Sequence, residues 1–364
     1  MAKLSINLVI NNSSQYLPFL LSSLKNQTFK DWEMIVVDNA SVDNSVEIIK
    51  RELAGSGFEY RIIQNKENVG FSLGHNQAYL QTKTPLFLLQ NADMYLMPDV
   101  LEKMINFLDK HIDTAAVAPR LMRWDFGKVA TAIQAGSEMA KVTQIGFTSQ
   151  IDAIGIRLFR NRRAVEWLTR EEWTKDSVNS NVRELYDKRV CEVFGVSGAL
   201  PMYRKTITDK ILLSGDNLFD PTYHSYKEDL DLAYRLRNAG YMSYVILDAV
   251  AYHNRTGAGP KEMGDWAALK NKVKQSDFVR YHSYKNHLRT LFKNEYWQNI
   301  FWDWPLIFWY ELKKCGYLLL TNPRVVLWGW LEIITHWSDL RSARRSILAS
   351  RRMYWKGIRR WFLK

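Results

Sequence analysis

Two carboxylate clusters stand where an acid can do more than cap a helix. The first is Asn91-Ala92-Asp93, which follows the apolar run Leu86-Phe-Leu-Leu and precedes a helix starting near Pro98-Asp99. An Asp there projects from a strand end without leaving the rigid sheet. One such carboxylate can share a hard cation with substrate phosphates, so Mg²⁺ or Mn²⁺ is the expected ion. The second cluster is Tyr226-Lys-Glu228-Asp229-Leu-Asp231, at the start of a helix expected over 228–238 and stopped by Gly240. The helix dipole favours acids at that end, but three acids in four positions exceed what capping needs. A hydroxyl attacking an electrophilic carbon requires a base on a rigid element, and Asp229 is the first candidate, Glu228 the second. His253 follows a strand expected near 243–247 and is placed to complete a metal shell, although a lone histidine is more often structural.

These residues need a scaffold, and the chain supplies strand-like and helix-like segments alternating at about 30-residue spacing, the pattern of a parallel α/β sheet. Strands are expected at 4–10, 33–38, 60–64, 86–90 and 115–118. Helical stripes lie between them: Leu17, Leu20, Leu21 and Leu24, then Val46, Ile49 and Leu53, then Val100, Leu101, Met104, Ile105 and Leu108. Ligands of such sheets bind beyond the carboxyl ends of the strands. Asn11 and Asn12 end the first strand, Asp38 and Asn39 the second, and Asn91 to Asp93 the fourth. Any one of these could be turn chemistry alone, but together they converge on one edge. In Asn68-Val-Gly70-Phe-Ser-Leu-Gly74-His-Asn76 the glycines would let backbone approach a ligand closely, and Gly198 lies in the ordered stretch that begins at Val193. Between about 123 and 190 the periodicity fades and Arg157, Arg160, Arg162 and Arg163 cluster, a segment read as an acceptor-side insertion.

The 364 residues, 47% apolar, can bury a sizeable core. Cys191 and Cys315 lie far apart, which suggests neither a disulfide framework nor a zinc site and fits a reducing cytoplasm. The first residues read as a strand rather than an export signal. Charges interrupt the apolar stretches near the C-terminus, so no spanning helix is expected. The net charge of +12 is unevenly distributed. Residues 1–254 hold 29 bases against 30 acids, whereas 255–364 hold 21 against 8 and ten of the fourteen tryptophans. Bases mixed with amphipathic aromatics point to an anionic membrane surface or to nucleic acid.

Taken together, Val36-Val-Asp-Asn-Ala-Ser, Asn68-Val-Gly-Phe, Asn91-Ala-Asp93, Phe194-Gly-Val-Ser-Gly-Ala and Tyr226-Lys-Glu-Asp-Leu-Asp-Leu-Ala-Tyr-Arg-Leu resemble family 2 glycosyltransferases in order and spacing, over about residues 4 to 255. The Asn-x-Asp motif and Tyr252-His253 are most similar to the rhamnosyltransferase-like branch, from which Ala92 departs where proline is frequent. The resemblance implies a GT-A fold (Rossmann-like, a mostly parallel sheet with flanking helices) over 1–255, and an inverting transfer from a dTDP- or UDP-linked sugar. It also implies Asp38 near the base or ribose, Asp93 and His253 on the metal, Asp229 as base, and Asn11, Asn12, Asn39, Asn68, Gly70, Asn76, Asn91, Ala92 and Gly198 around the donor. The expected acceptor is a polyprenyl-diphosphate-linked saccharide. The helical, aromatic- and Arg/Lys-rich extension over 256–364 is then expected to associate with the inner face of the cell membrane, with packing on the catalytic domain or across a homodimer as the alternative. Trp302, Trp304, Trp309, Trp328, Trp330 and Trp337 suit a headgroup region.

Two rival readings account for less. A sugar nucleotidyltransferase would carry a glycine-rich turn after the first strand, where Asn11-Asn-Ser-Ser stands instead. A nucleic-acid-binding protein would explain the nine bases among the last 24 residues but not the two acidic clusters, so nucleic acid is not an expected partner.

Overall fold

Strands buried on both faces need near-continuous apolar sequence, and the first two supply it: β1 (Leu4–Ile10) and β2 (Trp32–Asp38) are buried strands, each with a neighbour on both sides. The computed structural model of the chain describes residues 2–138, 142–255 and 275–363. Around the first two strands are β3 (Tyr60–Gln64), β4 (Leu86–Gln90), β5 (Met94–Leu96), β6 (Thr114–Trp124), β7 (Phe147–Ala153), β10 (Val190–Glu192), β11 (Met202–Arg204) and β12 (Met242–His253). The order is β10-β12-β6-β11-β4-β1-β2-β3, with β5 added to β12 and β7 to β6. β3, β2, β1 and β4 run parallel, as do β6 and β12, while β11 lies antiparallel between β4 and β6.

The helices that cover this sheet bury the stripes expected of them. α1 (Leu17–Lys25), α2 (Ser45–Leu53) and α4 (Val100–Lys110) each bury every apolar residue named above, and α3 (Gly70–Gln81) packs across β1 and β2. Two strands run further than their patterns suggest. β6 continues to Trp124, and β12 reaches His253 by absorbing the polar Asp248 in a register shift between Ile246 and Val250.

The described residues of the segment 123–190 include α5 (Phe126–Gln134), β7, a hairpin of β8 (Ile156–Phe159) and β9 (Ala164–Glu166), and α6 (Ser180–Tyr186). α7 (Lys205–Thr208) and α8 (Glu228–Asn238) precede β12. Of the C-terminal region, residues 256–274 lie outside the described residues. The rest forms α9 (Asp277–Asn294), α10 (Trp297–Thr321), α11 (Pro323–Thr335), α12 (Trp337–Ser350), α13 (Trp355–Arg359) and β13 (Phe362–Leu363). β13 returns to pair with β8, so the end of the chain closes onto the segment before the second acidic cluster.

That closure is ionic as well. Arg162, fully buried, reaches Glu295 at 3.0 Å and Asp303 at 3.0 Å, and Arg160 and Arg359 also hold Asp303. The arginines at 160 and 162 therefore serve packing of the C-terminal helices, a role the sequence left open. α10 inverts the usual pattern of a surface helix: it buries Asn299, Asp303 and Lys314 and leaves Trp302, Trp304, Phe308 and Trp309 more than half exposed. Among the described residues no helix is long and apolar enough to cross a membrane.

Candidate active site

Antiparallel pairing of β5 with β12 sets Met94 opposite His253, and this register brings the first acidic cluster to the histidine. His253 Nε2 lies 3.3 Å from Asp93 Oδ1, and the backbone N–H of Asn254 donates to the Asp93 carbonyl at 3.0 Å. On the other side of the ring, Nδ1 contacts Asp152 Oδ2 at 2.8 Å. Burial alone would lower the His253 pKa, but Asp93 and Asp152 reverse that and raise it to about 9. Asp152 itself is fully buried. Burial opposes its ionisation, yet Arg255 and His253 outweigh that and hold its carboxyl below the usual range.

From Asp152 the network continues through Arg255, whose Nε lies 3.3 Å from the same oxygen and whose Nη2 donates to Glu166 Oε1 and Ser197 Oγ, each at 3.1 Å. Ser197 Oγ donates to Glu166 Oε1 at 2.8 Å. The next residue, Gly198, donates its N–H to Asp229 Oδ2 at 3.2 Å, while Leu230 N–H donates to Asp229 Oδ1 at 2.7 Å. The two acidic clusters of the sequence are thus joined through residues 197–198 and a wall of buried charge. Glu228 is buried and, by burial first and the neighbouring Asp229 second, pushed up to about 8; its Oε2 has no hydrogen-bond partner. Glu166 is raised as well, by burial against the pull of Arg255 and with Asp229 adding to the rise.

Asp152, Glu166 and Arg255 were not among the candidates read from the sequence. Asp152 was visible as an acid inside the apolar run Ile151 to Ile154, a pattern that marks a buried partner-seeking carboxylate. Glu166 and Arg255 give no such local signal, since each becomes special only through the other.

The remaining expected positions fall into two groups. At the strand ends, Asn11 Nδ2 donates to the Asn39 carbonyl at 2.7 Å, Asn12 Oδ1 accepts Val42 N–H at 2.9 Å, and Asp38 Oδ1 accepts Ser41 N–H at 3.0 Å. Asn91 N–H donates to the Ala199 carbonyl at 3.1 Å, which ties the Asn91-Ala92-Asp93 turn to the segment that also carries Gly198. In the second group the side chains bond within the protein, Asn39 and Asn76 buried and Asn68 at the surface. Asn39 is buried, donating to the Gly70 carbonyl and accepting from Asn65. Asn68 Oδ1 accepts Gly70 N–H at 2.9 Å. Asn76 donates to Asn217 and to the Phe219 carbonyl and accepts Phe219 N–H, so all its polar capacity anchors the 217–219 segment. The glycines of the 68–76 segment also face protein. At Gly70, with φ +86°, a Cβ would stand 2.6 Å from the His224 ring, and at Gly74 one would stand 3.0 Å from Val9. The backbone that comes close at these glycines is packed against protein.

The structure brings Asp93 and His253, the two residues expected on a metal, side by side. Among the described residues no cluster of three or more His, Cys, Asp or Glu could hold a metal by itself. The donor set nevertheless suits a shared ion: a half-exposed carboxylate faces an imidazole nitrogen whose opposite nitrogen is fixed by a buried carboxylate, the arrangement that orients metal-binding histidines. The further oxygens would come from the substrate.

Comparison with known proteins bears on the fold. Residues 5–161, less than half of the chain, match the family described as Glycosyl transferase family 2. The Bacillus subtilis protein EpsE, named as a glycosyltransferase, is 28% identical over 176 residues, 47% of this chain and 63% of EpsE. The poly(ribitol-phosphate) beta-N-acetylglucosaminyltransferase TarS of Staphylococcus aureus is 28% identical over 114 residues, 30% of this chain and 20% of TarS. The chain thus spans less than two thirds of either relative. In fold it is similar to GalNAc-T7, whose crystal structure holds UDP, GalNAc and Mn²⁺, with a TM-score of 0.54 at 11% identity over 80% of this chain and 48% of that one. The architecture is of the GT-A type, an α/β fold with a mostly parallel central sheet, and residues 5–161 match a glycosyltransferase family 2 domain.

Proposed function

We propose that the protein transfers a sugar, with inversion, from a nucleoside diphosphate donor to a lipid-linked saccharide at the inner face of a bacterial membrane. The observation that carries this reading is the position of Asp229. It sits at a helix start, held by the Gly198 N–H, on the same wall of charge as Asp93 and His253. Asp229 takes the proton of the acceptor hydroxyl as its oxygen bonds to the anomeric carbon, and the bond to the nucleoside diphosphate breaks on the opposite face. Glu228 stays largely protonated near neutral pH and so does not compete as base. A bound Mg²⁺ or Mn²⁺ would neutralise charge on the leaving diphosphate, and Asp93 and His253 are the residues that would hold it, with Asp152 fixing the imidazole. Asp38, Asn11, Asn12 and Asn91 border the donor side of the same strand edge.

The inverted polarity of α10 supports the membrane part of the proposal. A helix that buries Asp303 and Lys314 and exposes Trp302, Trp304, Phe308 and Trp309 is matched to an apolar or interfacial surrounding. On sequence resemblance the first-choice donor is dTDP-L-rhamnose, with UDP-hexose and UDP-N-acetylhexosamine as alternatives. Calorimetry and nucleotide-release assays with these donors, with and without Mg²⁺ or Mn²⁺, decide among them. Metal-dependent binding of one donor, lost in Asp93→Ala, is expected. Failure of every donor to bind, or unchanged binding by Asp93→Ala, would overturn the reading.

A further inference from the structure

Immediately ahead of Glu228, three residues that are not glycine take positive φ: His224 at 55°, Tyr226 at 73° and Lys227 at 72°. Such backbone persists only where its surroundings over-determine it, and the strain then sits beside a functional group. No side chain among the described residues caps the start of α8, so the turn does not hold itself through the usual local device. What holds it is α9, from the C-terminal region.

Successive turns of that helix grip successive residues of the approach to α8. Lys293 Nζ donates to Asp220 at 2.6 Å and Tyr223 Oη meets Thr290 Oγ1 at 2.8 Å, both buried. Lys285 Nζ donates to the Thr222 carbonyl at 2.7 Å. At the strained turn itself, the fully buried amide of Asn286 donates to three carbonyls: Tyr223 at 3.0 Å, Ser225 at 3.0 Å and Tyr226 at 2.7 Å. Residues 286, 290 and 293 share one helix face by spacing, so the contact is a single ridge laid along the turn. Asn286 Oδ1 has no partner, which leaves the three carbonyls to fix the amide's orientation.

We propose that Asn286 is a positioning residue for the acid pair, fixing from α9 the strained turn that delivers Glu228 and Asp229. This rests on the reading of Asp229 as base. The Gly198 N–H meets Asp229 at 3.2 Å, so a slight shift of the helix start breaks that contact and misaims the base. Misplacement by about 1 Å can cost about 10²-fold in rate. Donor contacts at Asp38 and Asp93 are made by other elements and are left alone.

The test uses the full chain. Asn286→Ala and Asn286→Asp are compared with Asn238→Ala, which removes a buried amide bond to the Asn294 carbonyl between α8 and α9 without touching the turn. Donor affinity, kcat, melting temperature and hydrogen exchange of the 225–230 amides are read for each. Asn286→Ala is expected to keep donor affinity within about threefold, lower kcat at least about tenfold and speed exchange in the turn, and Asn286→Asp, which sets a carboxylate against three carbonyls, to do more. Asn238→Ala should lower the melting temperature comparably with kcat nearly unchanged. If kcat of the Asn286 variants falls no further than that of Asn238→Ala, or exchange in the turn is unaltered, the proposal is overturned. Asp229→Asn, measured alongside, separates this failure from a wrong assignment of the base: full turnover by that variant would mean that Asp229 is not the base.

Discussion

Gly70 and Gly136 share the same backbone angle, φ +86°, and differ in what surrounds them. A Cβ at Gly136 meets nothing within 4 Å, whereas one at Gly70 falls 2.6 Å from His224 Cγ and 2.7 Å from the His224 carbonyl oxygen. Alanine held in a left-handed conformation costs about 1–2 kcal/mol at either site. At Gly70 the obstacle includes backbone, which no rotamer change relieves, so overpacking adds about 1–3 kcal/mol more. The expected destabilisation is then about 1–2 kcal/mol for Gly136→Ala and about 2–5 kcal/mol for Gly70→Ala. Because the conformational term and the effect of alanine on the unfolded chain are common to both, the difference isolates the crowding. Urea unfolding followed by tryptophan fluorescence measures it, provided the slope with denaturant is the same for both variants. The clash also reaches function. The His224 carbonyl accepts the Ser72 N–H, and His224 stands four residues ahead of Glu228, so Gly70→Ala should lower turnover while Gly136→Ala leaves it intact. Equal loss of stability in the two variants, or full turnover by Gly70→Ala, would refute the argument that this glycine exists to admit the turn.

Asp229→Asn should keep donor affinity within a few-fold and lower kcat by at least about 10²-fold, with Glu228→Gln doing less; the reverse order in a nucleotide-release assay would make Glu228 the base. His75 is fully buried between Phe71 and Phe219 with neither ring nitrogen hydrogen-bonded, and burial lowers its pKa to about 3. Neutral in the fold, it contributes stability that is fully present above pH 6.5 and lost as pH falls towards 3. His75 should therefore contribute about 2 kcal/mol to the drop in unfolding free energy from pH 7.5 to pH 5, and His75→Leu should remove that portion of the slope. Replacing Trp304, Trp309 and Trp328 together by serine should weaken binding to phosphatidylglycerol vesicles at least about tenfold in high salt, where apolar contact alone remains; equal retention of variant and parent would assign the aromatic face to protein contacts. Deleting residues 341–364 removes Arg359 from Asp303 and β13 from β8, so thermal melting should show the catalytic domain itself destabilised. An unchanged melting temperature would mean those contacts contribute little.

What the sequence made legible was whatever depends on neighbours along the chain. The leucine stripe of α1 and the alternation of strands and helices follow from local periodicity, and Asn91 to Asp93 and Glu228 to Asp231 stand out because each cluster is contiguous. The pairing of Asp93 with His253 was foreseen only as shared chemistry; its cause, the β5–β12 register, lies between segments about 160 residues apart in sequence and has no local trace. Asp248 shortened the strand expected at 243–247 because a polar residue breaks alternation, and nothing local says that a bulge will absorb it. Glu166 and Arg255 went unseen for the same reason. The glycines of 68–76 were legible as places where backbone comes close, but not as to what comes close.

The charge of the C-terminal region needs the same distinction between composition and placement. Its excess of bases suggests a broad electrostatic footprint, yet several are spent inside the protein. Arg344 donates to the carbonyls of Phe292 and Glu295, Arg351 to that of Asn294, Lys293 pairs with Asp220 and Asp231, and Arg359 with Asp303. Lys293 and Arg359 contribute little to attraction at a distance, because the carboxylates they contact cancel their charge, whereas Arg344 and Arg351 keep a net charge but are fixed in place by the carbonyls. The exposed bases Arg324, Arg341, Arg345 and Arg352 remain for a surface, close in sequence to the aromatic face of α10 and α11. Buried charge and exposed indole on the same helices are therefore parts of one arrangement. The ions fasten α9 to the approach to Glu228 through Lys293 and Asp220, and α10 to Arg160 and Arg162 through Asp303; with the polar side of α10 committed to that second contact, its apolar side is the one left to face outward.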